Sequence, residues 1–286
     1  MRQHLTMTAG ASLGVAVATL ASGIVIARAL GPDARGTFGV AVLLAQLTVG
    51  LATLSIFEAA VIKLRSSRDE AKSVARALLC VAIGVLVIAM IVVFGAWSAA
   101  LLPHALTSSP AAIAIICGLV AVGVITAAFE ALEAIDARFD HLNAARLAGP
   151  ALFAVALLVL AAMDALSLNI ALAALLVTLL PALAIRLYRW RRTLRIRRSG
   201  GPTFSALALL GVRLHAAHGT MLLARHADRV ILAGLWPVAA LGHYFVAFSV
   251  VTVGLALLCQ ALQIAATPAF ASASLDALRA SLPGSL

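Results

Sequence analysis

Two stretches of the chain read alike: ALGPDARGTFGVA at residues 29–41 and GLWPVAALGHYFVA at residues 234–247. In each, an apolar segment ends at a Leu, a Pro follows two residues later, and a Gly opens another apolar segment, with Phe38 or Tyr244 two residues after that Gly. Pro and Gly end a helix and permit a tight reversal of the chain. Each stretch is therefore predicted to be the tip of a helical hairpin, and their similarity indicates a repeat. The alternative is that any membrane hairpin carries Pro and Gly at its tip.

The composition is that of a protein surrounded by lipid. Of the 286 residues, 63% are hydrophobic and 11% are charged, and the mean hydropathy is +1.10, far above that of soluble domains. The net charge of +10 comes from Lys and Arg that gather in short runs between apolar segments, which is typical of membrane topology rather than of nucleic-acid binding. The three Cys stand in apolar runs without a nearby His or Cys, so neither a metal site nor a disulfide is predicted.

Charges, Pro and Gly divide the chain into segments of membrane-spanning length. Six precede residue 200, at 8–27, 37–57, 77–102, 111–129, 147–163 and 167–185. The charge-free run 230–270 is too long for one helix and too short for two, so alignment of the two repeats assigns further helices at about 213–235 and about 241–263. The sequence thus predicts an all-α integral membrane protein, a polytopic bundle of about eight transmembrane helices.

The connections between these spans differ in charge. Those after the second, fourth and sixth spans carry Lys and Arg, whereas residues 103–110 and 164–166 carry neither. Because basic connections stay in the cytoplasm, the N-terminus is predicted to be cytoplasmic and both hairpin tips to face outward. Six crossings separate the tips, as expected for parallel repeats. The predicted units are a six-helix lobe (1–188), a basic linker (189–203), the first hairpin of a second lobe (204–270) and a polar tail (271–286).

Helix seven carries the main candidates for a binding site. Arg225, Asp228 and Arg229 are spaced i, i+3, i+4 and share one helix face, which His218 extends. A charged residue near the bilayer centre costs about 2.5–3.5 kcal/mol on insertion scales, so these side chains are predicted to face the lobe interior. One Arg then pairs with Asp228, and the surplus positive charge binds an anionic group such as a diphosphate. The alternative is a neutralising ion pair that joins helix seven to a neighbour, or a cluster nearer the interface.

Further ionisable residues have two interpretations each. Arg28, at the outer end of helix one, either lines the same cavity or snorkels to the interface. Glu58, at the inner end of helix two, is a candidate for proton or cation coupling, the alternative being a solvated helix end. Four carboxylates follow helix four on one side of its extension, where they either bind a divalent ion or are neutralised by arginines, and no metal ligands are assigned. The carboxylates are Glu130, Glu133, Asp136 and Asp140, and the arginines are Arg138 and Arg146.

Several pieces of the chain together resemble a known family. They are ARALGP at 27–32 with Gly36 and Phe38 after it, RF at 138–139 with NAAR at 143–146, the Arg cluster after helix six, ADRVIL at 227–232 with LGHY at 241–244, and Pro268. In order and spacing they are similar to the polysaccharide transporter branch of the multidrug/oligosaccharidyl-lipid/polysaccharide flippase superfamily, which includes the O-antigen flippases. Such transporters usually have more helices than the eight predicted here, so the resemblance implies a truncated member.

The resemblance implies a flippase that moves a lipid-linked oligosaccharide across the bacterial inner membrane during the biosynthesis of surface polysaccharide, including lipopolysaccharide. The partners it implies are the diphosphate-linked lipid substrate, membrane lipid and polysaccharide assembly proteins, without nucleic acid or a cofactor. Two alternatives stay open: a multidrug or cation antiporter of the same superfamily, which should have carboxylates in its cavity, and a non-transporting truncated protein that packs with a biosynthetic partner. The sequence has no phosphate-binding loop or nucleophile motif, so an enzyme is not expected.

Overall fold

The computed structural model describes residues 2–64, 68–98, 106, 109–136, 139–195 and 204–272, and every long element within these ranges is an α-helix. In chain order the helices are α1 (Arg2–Ala52), α2 (Ile56–Leu64), α3 (Arg68–Ser98), α4 (Pro110–Ile135), α5 (Phe139–Ala162), α6 (Leu168–Arg195), α7 (Phe204–Leu235) and α8 (Val238–Ser272). Seven of these helices, all but α2, are long and apolar enough to cross a membrane. The predicted all-α, polytopic membrane fold is confirmed.

Helix α1 is broken into two arms at Gly31. The backbone of Gly31 has φ 77° and ψ 177°, a conformation that favours glycine, and Pro32 follows it. The apolar part of α1 has 43 residues, which would measure about 64 Å as one straight helix. The arms instead fold back on each other, because a Cβ added to Gly23 would lie 3.5 Å from Nη2 of Arg35. Residues 2–30, the N-terminal arm, and residues 32–52, the C-terminal arm, therefore form the predicted hairpin and make two crossings.

The tip of this hairpin contacts the tip between α7 and α8. A Cβ on Gly36 would overlap the carbonyl oxygen of Val238, and a Cβ on Gly242 would overlap the carbonyl oxygen of Pro32. The two contacts are reciprocal, since each repeat supplies one glycine and one carbonyl oxygen. Backbones approach this closely in membranes only where a small residue removes the side chain between them. We call this reciprocal pair of contacts the tip contact.

The other helices form a bundle around α4. Half of the α4 span is buried, and α4 packs against α3, α6 and the C-terminal arm of α1. Glycines permit close packing here, because Gly118 faces the side chain of Leu176 and Gly123 faces Val49. Helix α3 instead presents exposed apolar side chains on its outer side, as expected of a surface in contact with lipid tails.

Several helices extend beyond the predicted spans, and three of the differences concern residues discussed below. Helix α6 continues through Arg195, so that Arg186, predicted to lie in the basic connection, is inside the helix. Helix α7 begins at Phe204 rather than near residue 213, because Arg213 is exposed within a continuous helix. The second predicted span, 37–57, is interrupted between α1 and α2 by Leu54 and Ser55, whose φ values of 45° and 52° are left-handed.

Some predicted features lie outside the described residues. The connection at 99–105, the end of the linker from residue 196 to 203 and the tail from residue 273 belong to this group. The side chains of the basic residues between α2 and α3, of Arg138 and of Asp140 are likewise not among those described.

Candidate functional site

A cavity of about 520 Å³ lies next to the tip contact, between both arms of α1 and helices α5, α6, α7 and α8. The two arms of α1 and helix α8 form most of its wall. Their lining residues recur at intervals of three and four, so one face of each helix borders the cavity. On the C-terminal arm they are residues 35, 38, 39, 42, 43 and 46, on α8 they are 245, 248, 249, 252 and 253, and on the N-terminal arm they run from 12 to 26. The cavity is thus built mainly by the two hairpins that the sequence repeat predicts.

Arg35 is the most buried cation of the cavity. The residue is 8% exposed and stands one turn after the tip, with its guanidinium carbon 5.9 Å from the ring centre of Phe38 and 5.7 Å from that of Phe245. The Nε atom is buried without a hydrogen-bond partner, and no carboxylate among the described residues pairs with Arg35. A cation in a membrane protein is costly unless something neutralises it. Arg35 therefore leaves the cavity with an uncompensated positive charge.

Arg229, in α7, brings a second guanidinium to the same end of the cavity. Its guanidinium carbon lies 4.5 Å from the ring centre of Phe248, and Nη2 donates a 3.0 Å hydrogen bond to the carbonyl oxygen of Arg225. Its Nε is 3.8 Å from Oδ1 of Asp228, close enough for an ion pair but too far for a hydrogen bond. The hydroxyl of Tyr244 donates to Oδ2 of Asp228. Asp228 thus connects α7 to α8 and partly neutralises Arg229.

The charges at this end of the cavity sum to an excess of one positive charge. Arg35 and Arg229 each contribute a cation, and Asp228 contributes the compensating carboxylate. Aromatic rings flank both guanidinium groups, so cation–π contacts hold the cations without using all of their N–H donors. The planar guanidinium group, when its donors are available, binds multiply charged oxyanions such as phosphates. This end of the cavity is chemically suited to an anionic group.

The predicted site residues are only partly brought together. Arg229 lines the cavity and Asp228 pairs with Arg229, whereas Arg225 and His218 are exposed and are not among the described lining residues. Arg28 is also exposed and outside the lining. The cavity lining thus includes Arg229 but not Arg225, His218 or Arg28, and a role of these three in substrate binding stays a prediction.

Arg35 was missed by sequence reasoning. It stands inside the first of the two similar stretches, but was assigned to the connection before the span 37–57. The helix in fact resumes directly after Gly31, which places Arg35 on a helix face. The signal was present, because Arg35, Phe38 and Gln46 recur at i, i+3 and i+11, the spacing of one face.

Glu58 lies away from this cavity, in the first turn of α2. Its Oε2 atom is buried without a described hydrogen-bond partner. In the left-handed turn before α2, the hydroxyl of Ser55 is 3.2 Å from Nδ1 of His215 in α7. A role of Glu58 in ion coupling stays a prediction.

Two of the four carboxylates after helix four are neutralised by arginines. Arg186 contacts both oxygens of Glu133, with Nη2 at 3.1 Å from Oε2 and Nε donating a 3.3 Å hydrogen bond to Oε1. Glu130 lies 3.1 Å from Arg146 and 3.6 Å from Arg186. Among the described residues, no group of three or more His, Cys, Asp or Glu is placed to hold a metal ion. Arginines thus neutralise Glu130 and Glu133, which was one of the two interpretations of these carboxylates. Arg186 is a partner that the sequence did not predict.

Comparison with known protein families gives a match over most of the chain. A protein family described as "Polysaccharide biosynthesis protein" matches residues 25–282, which extend from the first hairpin tip through α8. No curated protein and no solved structure matches the chain.

Proposed function

Because the chain belongs to the polysaccharide biosynthesis protein family, we propose that it is a membrane flippase for a lipid-linked oligosaccharide used in the synthesis of surface polysaccharide, including lipopolysaccharide. The observation that supports this proposal most directly is the uncompensated Arg35, together with Arg229, in a cavity between membrane-spanning helices. A diphosphate that joins lipid and sugar carries the negative charge that this end of the cavity lacks.

In the proposed mechanism Arg35 and Arg229 hold the phosphate oxygens. Two guanidinium groups offer paired N–H donors, a geometry that suits phosphate better than a point charge does. Asp228 and Tyr244 orient Arg229 from the side away from the ligand. The two repeats then rock about the cavity, so that it opens alternately to the two membrane surfaces, and the tip contact parts for release on the outer side.

The proposed setting follows from the charge of the connections. We place the protein in the bacterial inner membrane with a cytoplasmic N-terminus, since the basic connections then lie in the cytoplasm. Polysaccharide assembly proteins are its proposed partners, and its role is transport rather than catalysis.

A multidrug or cation antiporter is the competing transport function. A site for an organic cation is favoured by carboxylates in the lining and disfavoured by arginines, which repel the bound cation. The described lining contains two arginines and no Asp or Glu. The charge of the cavity therefore favours an anionic substrate.

Binding of farnesyl diphosphate to the purified protein in lipid nanodiscs tests the anion site. Loss of one charged hydrogen-bond donor costs roughly 1.5–3 kcal/mol, so Arg35→Gln should weaken binding about 10- to 150-fold. Arg35→Lys keeps the charge and should bind between wild type and Arg35→Gln. Arg28→Gln is the matched control, because Arg28 is exposed outside the cavity. Equal affinity of folded Arg35→Gln and wild type would contradict the proposal.

Transport is tested in cells that lack the gene. The flippase proposal expects lipid-linked oligosaccharide to accumulate in the inner leaflet and wild type to restore outer-leaflet substrate, whereas Arg35→Gln should not. A protein that binds the diphosphate but whose loss leaves the distribution of the substrate unchanged would instead be a non-transporting partner of a biosynthetic protein.

A further inference from the structure

Helix α6 has one exposed face that changes in character along its length. Its exposed positions recur at i, i+4, i+7, i+8, i+11 and i+14, so they form a single line along the helix. We call this line the exposed stripe, which consists of Val177, Pro181, Ala184, Ile185, Tyr188 and Arg191. The exposed stripe is apolar from Val177 to Ile185, becomes aromatic at Tyr188 and ends with the cation of Arg191.

Tyr188 lies at the boundary of the membrane. A helix perpendicular to the membrane crosses the hydrocarbon core, about 30 Å thick, in about 20 residues. The apolar span of α6 begins at Leu168, so Tyr188 follows the end of this crossing. Tyrosine is typical of that depth, because its ring is apolar and its hydroxyl is polar. Val177 and Tyr188 are about 16 Å apart along the axis, so the apolar part of the exposed stripe covers about one leaflet.

Arg191 is held above the ring of Tyr188. Its guanidinium carbon lies 3.8 Å from the ring centre. Helical side chains lean toward the N-terminus of their helix, so Arg191 reaches back toward the membrane. A guanidinium that stacks on a ring keeps N–H donors at its edge, and no carboxylate of the described residues pairs with Arg191. The membrane surface at this end of α6 therefore has a positioned cation with donors available for an anion.

The positive charge around Arg191 has no counter-charge nearby in the sequence. Arg186 lies on the buried side of α6, where Glu133 neutralises it. In contrast, the chain has no Asp or Glu between residues 164 and 228. Each Lys or Arg next to an anionic membrane surface contributes about 1 kcal/mol of attraction. The arginines that accompany Arg191 at the end of α6 are Arg189, Arg192 and Arg195.

We propose that the exposed stripe binds one anionic phospholipid, such as phosphatidylglycerol, with its phosphate on Arg191 and an acyl chain along Val177 and Ile185. A soluble anion would leave the apolar part of the stripe without a partner. A zwitterionic phospholipid would bring a cation next to the surplus arginines, which repel it. This inference does not rest on the proposed function, because neither the cavity nor Arg35 takes part in it.

The affinity for the lipid is tested by native mass spectrometry of the delipidated protein in detergent, titrated with phosphatidylglycerol or phosphatidylcholine. Wild type should bind phosphatidylglycerol more tightly. Arg191→Gln should weaken its binding about fivefold, the equivalent of about 1 kcal/mol, and leave phosphatidylcholine as in wild type. Arg191→Lys keeps the charge and should lose less affinity than Arg191→Gln. Arg213→Gln is the matched control, because it removes an exposed arginine from α7 and should bind both lipids as wild type does.

The position of the lipid is tested by photo-crosslinking in nanodiscs that contain equal amounts of the two phospholipids. With p-benzoylphenylalanine in place of Ile185, the crosslinked lipid should be enriched in phosphatidylglycerol. The same label in place of Val155, which is exposed on α5, should capture the two lipids equally.

Three results would overturn the proposal. The first is equal affinity of wild type for the two phospholipids, and the second is a loss in Arg213→Gln as large as in Arg191→Gln. The third is displacement of phosphatidylglycerol by an equal concentration of inorganic phosphate, which would indicate a site for small anions. Equal capture of both lipids at position 185 would likewise exclude the exposed stripe as the binding site.

Discussion

Replacement of Arg186 should destabilise the first lobe more than replacement of any exposed arginine. The Arg186 side chain is 4% exposed and that of Glu133 is 6% exposed, and they pair through two contacts of 3.1 and 3.3 Å. In Arg186→Met, Glu133 loses its ion-pair partner, whereas Glu130 keeps Arg146 at 3.1 Å. The variant therefore contains one buried, unpaired carboxylate.

The expected loss of stability follows from leaving the buried carboxylate of Glu133 without a counter-ion. Breaking a buried ion pair by removing one partner costs about 3–5 kcal/mol, because the remaining charge has lost both water and its counter-ion. Replacing both partners by apolar residues of similar volume is often neutral. The double variant Arg186→Met/Glu133→Met should therefore be within about 1 kcal/mol of wild type, which corresponds to a coupling energy of at least about 2 kcal/mol between the two changes.

The assay is unfolding by sodium dodecyl sulfate in mixed micelles, followed by circular dichroism for wild type, both single variants and the double variant. Arg146→Met is the control, since Arg146 is 51% exposed and pairs near the surface, where ion pairs contribute about 0–1 kcal/mol. A double variant as unstable as the sum of the two single variants would refute the reasoning, and so would a loss below about 1 kcal/mol in Arg186→Met.

Two further predictions concern the hairpins. Gly36→Ala should separate the tips and destabilise the protein by about 1–3 kcal/mol, because its Cβ would overlap the carbonyl oxygen of Val238, and spin-label distances across the tips should lengthen. Gly84→Ala, where nothing lies within 4 Å, should leave the distances as in wild type. Tyr244→Phe removes the hydrogen bond to Asp228 and should lower stability by about 1.5–3 kcal/mol in the same unfolding assay, and an unchanged midpoint would count against that bond.

The fold could be predicted where its causes are local. Pro and Gly act on the backbone of their own residues, so the hairpin tip at Gly31 was found from the sequence, and the length of the apolar spans gave the membrane helices. The end of α6, in contrast, could not be predicted from local sequence features. Arg186 remains helical beyond the predicted end at residue 185 and is buried against Glu133, 53 residues earlier in the chain, which the pattern of charges alone did not show.

The candidate site was predicted only in part, because Arg229 lines the cavity as expected of a site residue whereas Arg35 was not among the predicted residues. Arg225 and Arg229 were predicted as site residues because they are charged and stand in a long apolar run. Which side of α7 faces the cavity, however, depends on how α7 packs on the C-terminal arm. Leu222 of α7 packs on Gly50 of the C-terminal arm, and the sequence alone does not show this contact. Arg35 could be assigned to the cavity only from the structure, in which the helix resumes at Pro32.

The tip contact also has a consequence for how the protein is made. Its two glycines stand about 200 residues apart, so at roughly 5–20 residues per second Gly242 leaves the ribosome on the order of 10–40 s after Gly36. During that interval the first hairpin has been synthesised with Arg35 on a face that α8 does not yet cover. An insertase or neighbouring helices must shelter this face until the second hairpin is inserted. Misassembly and proteolysis compete with folding during this interval.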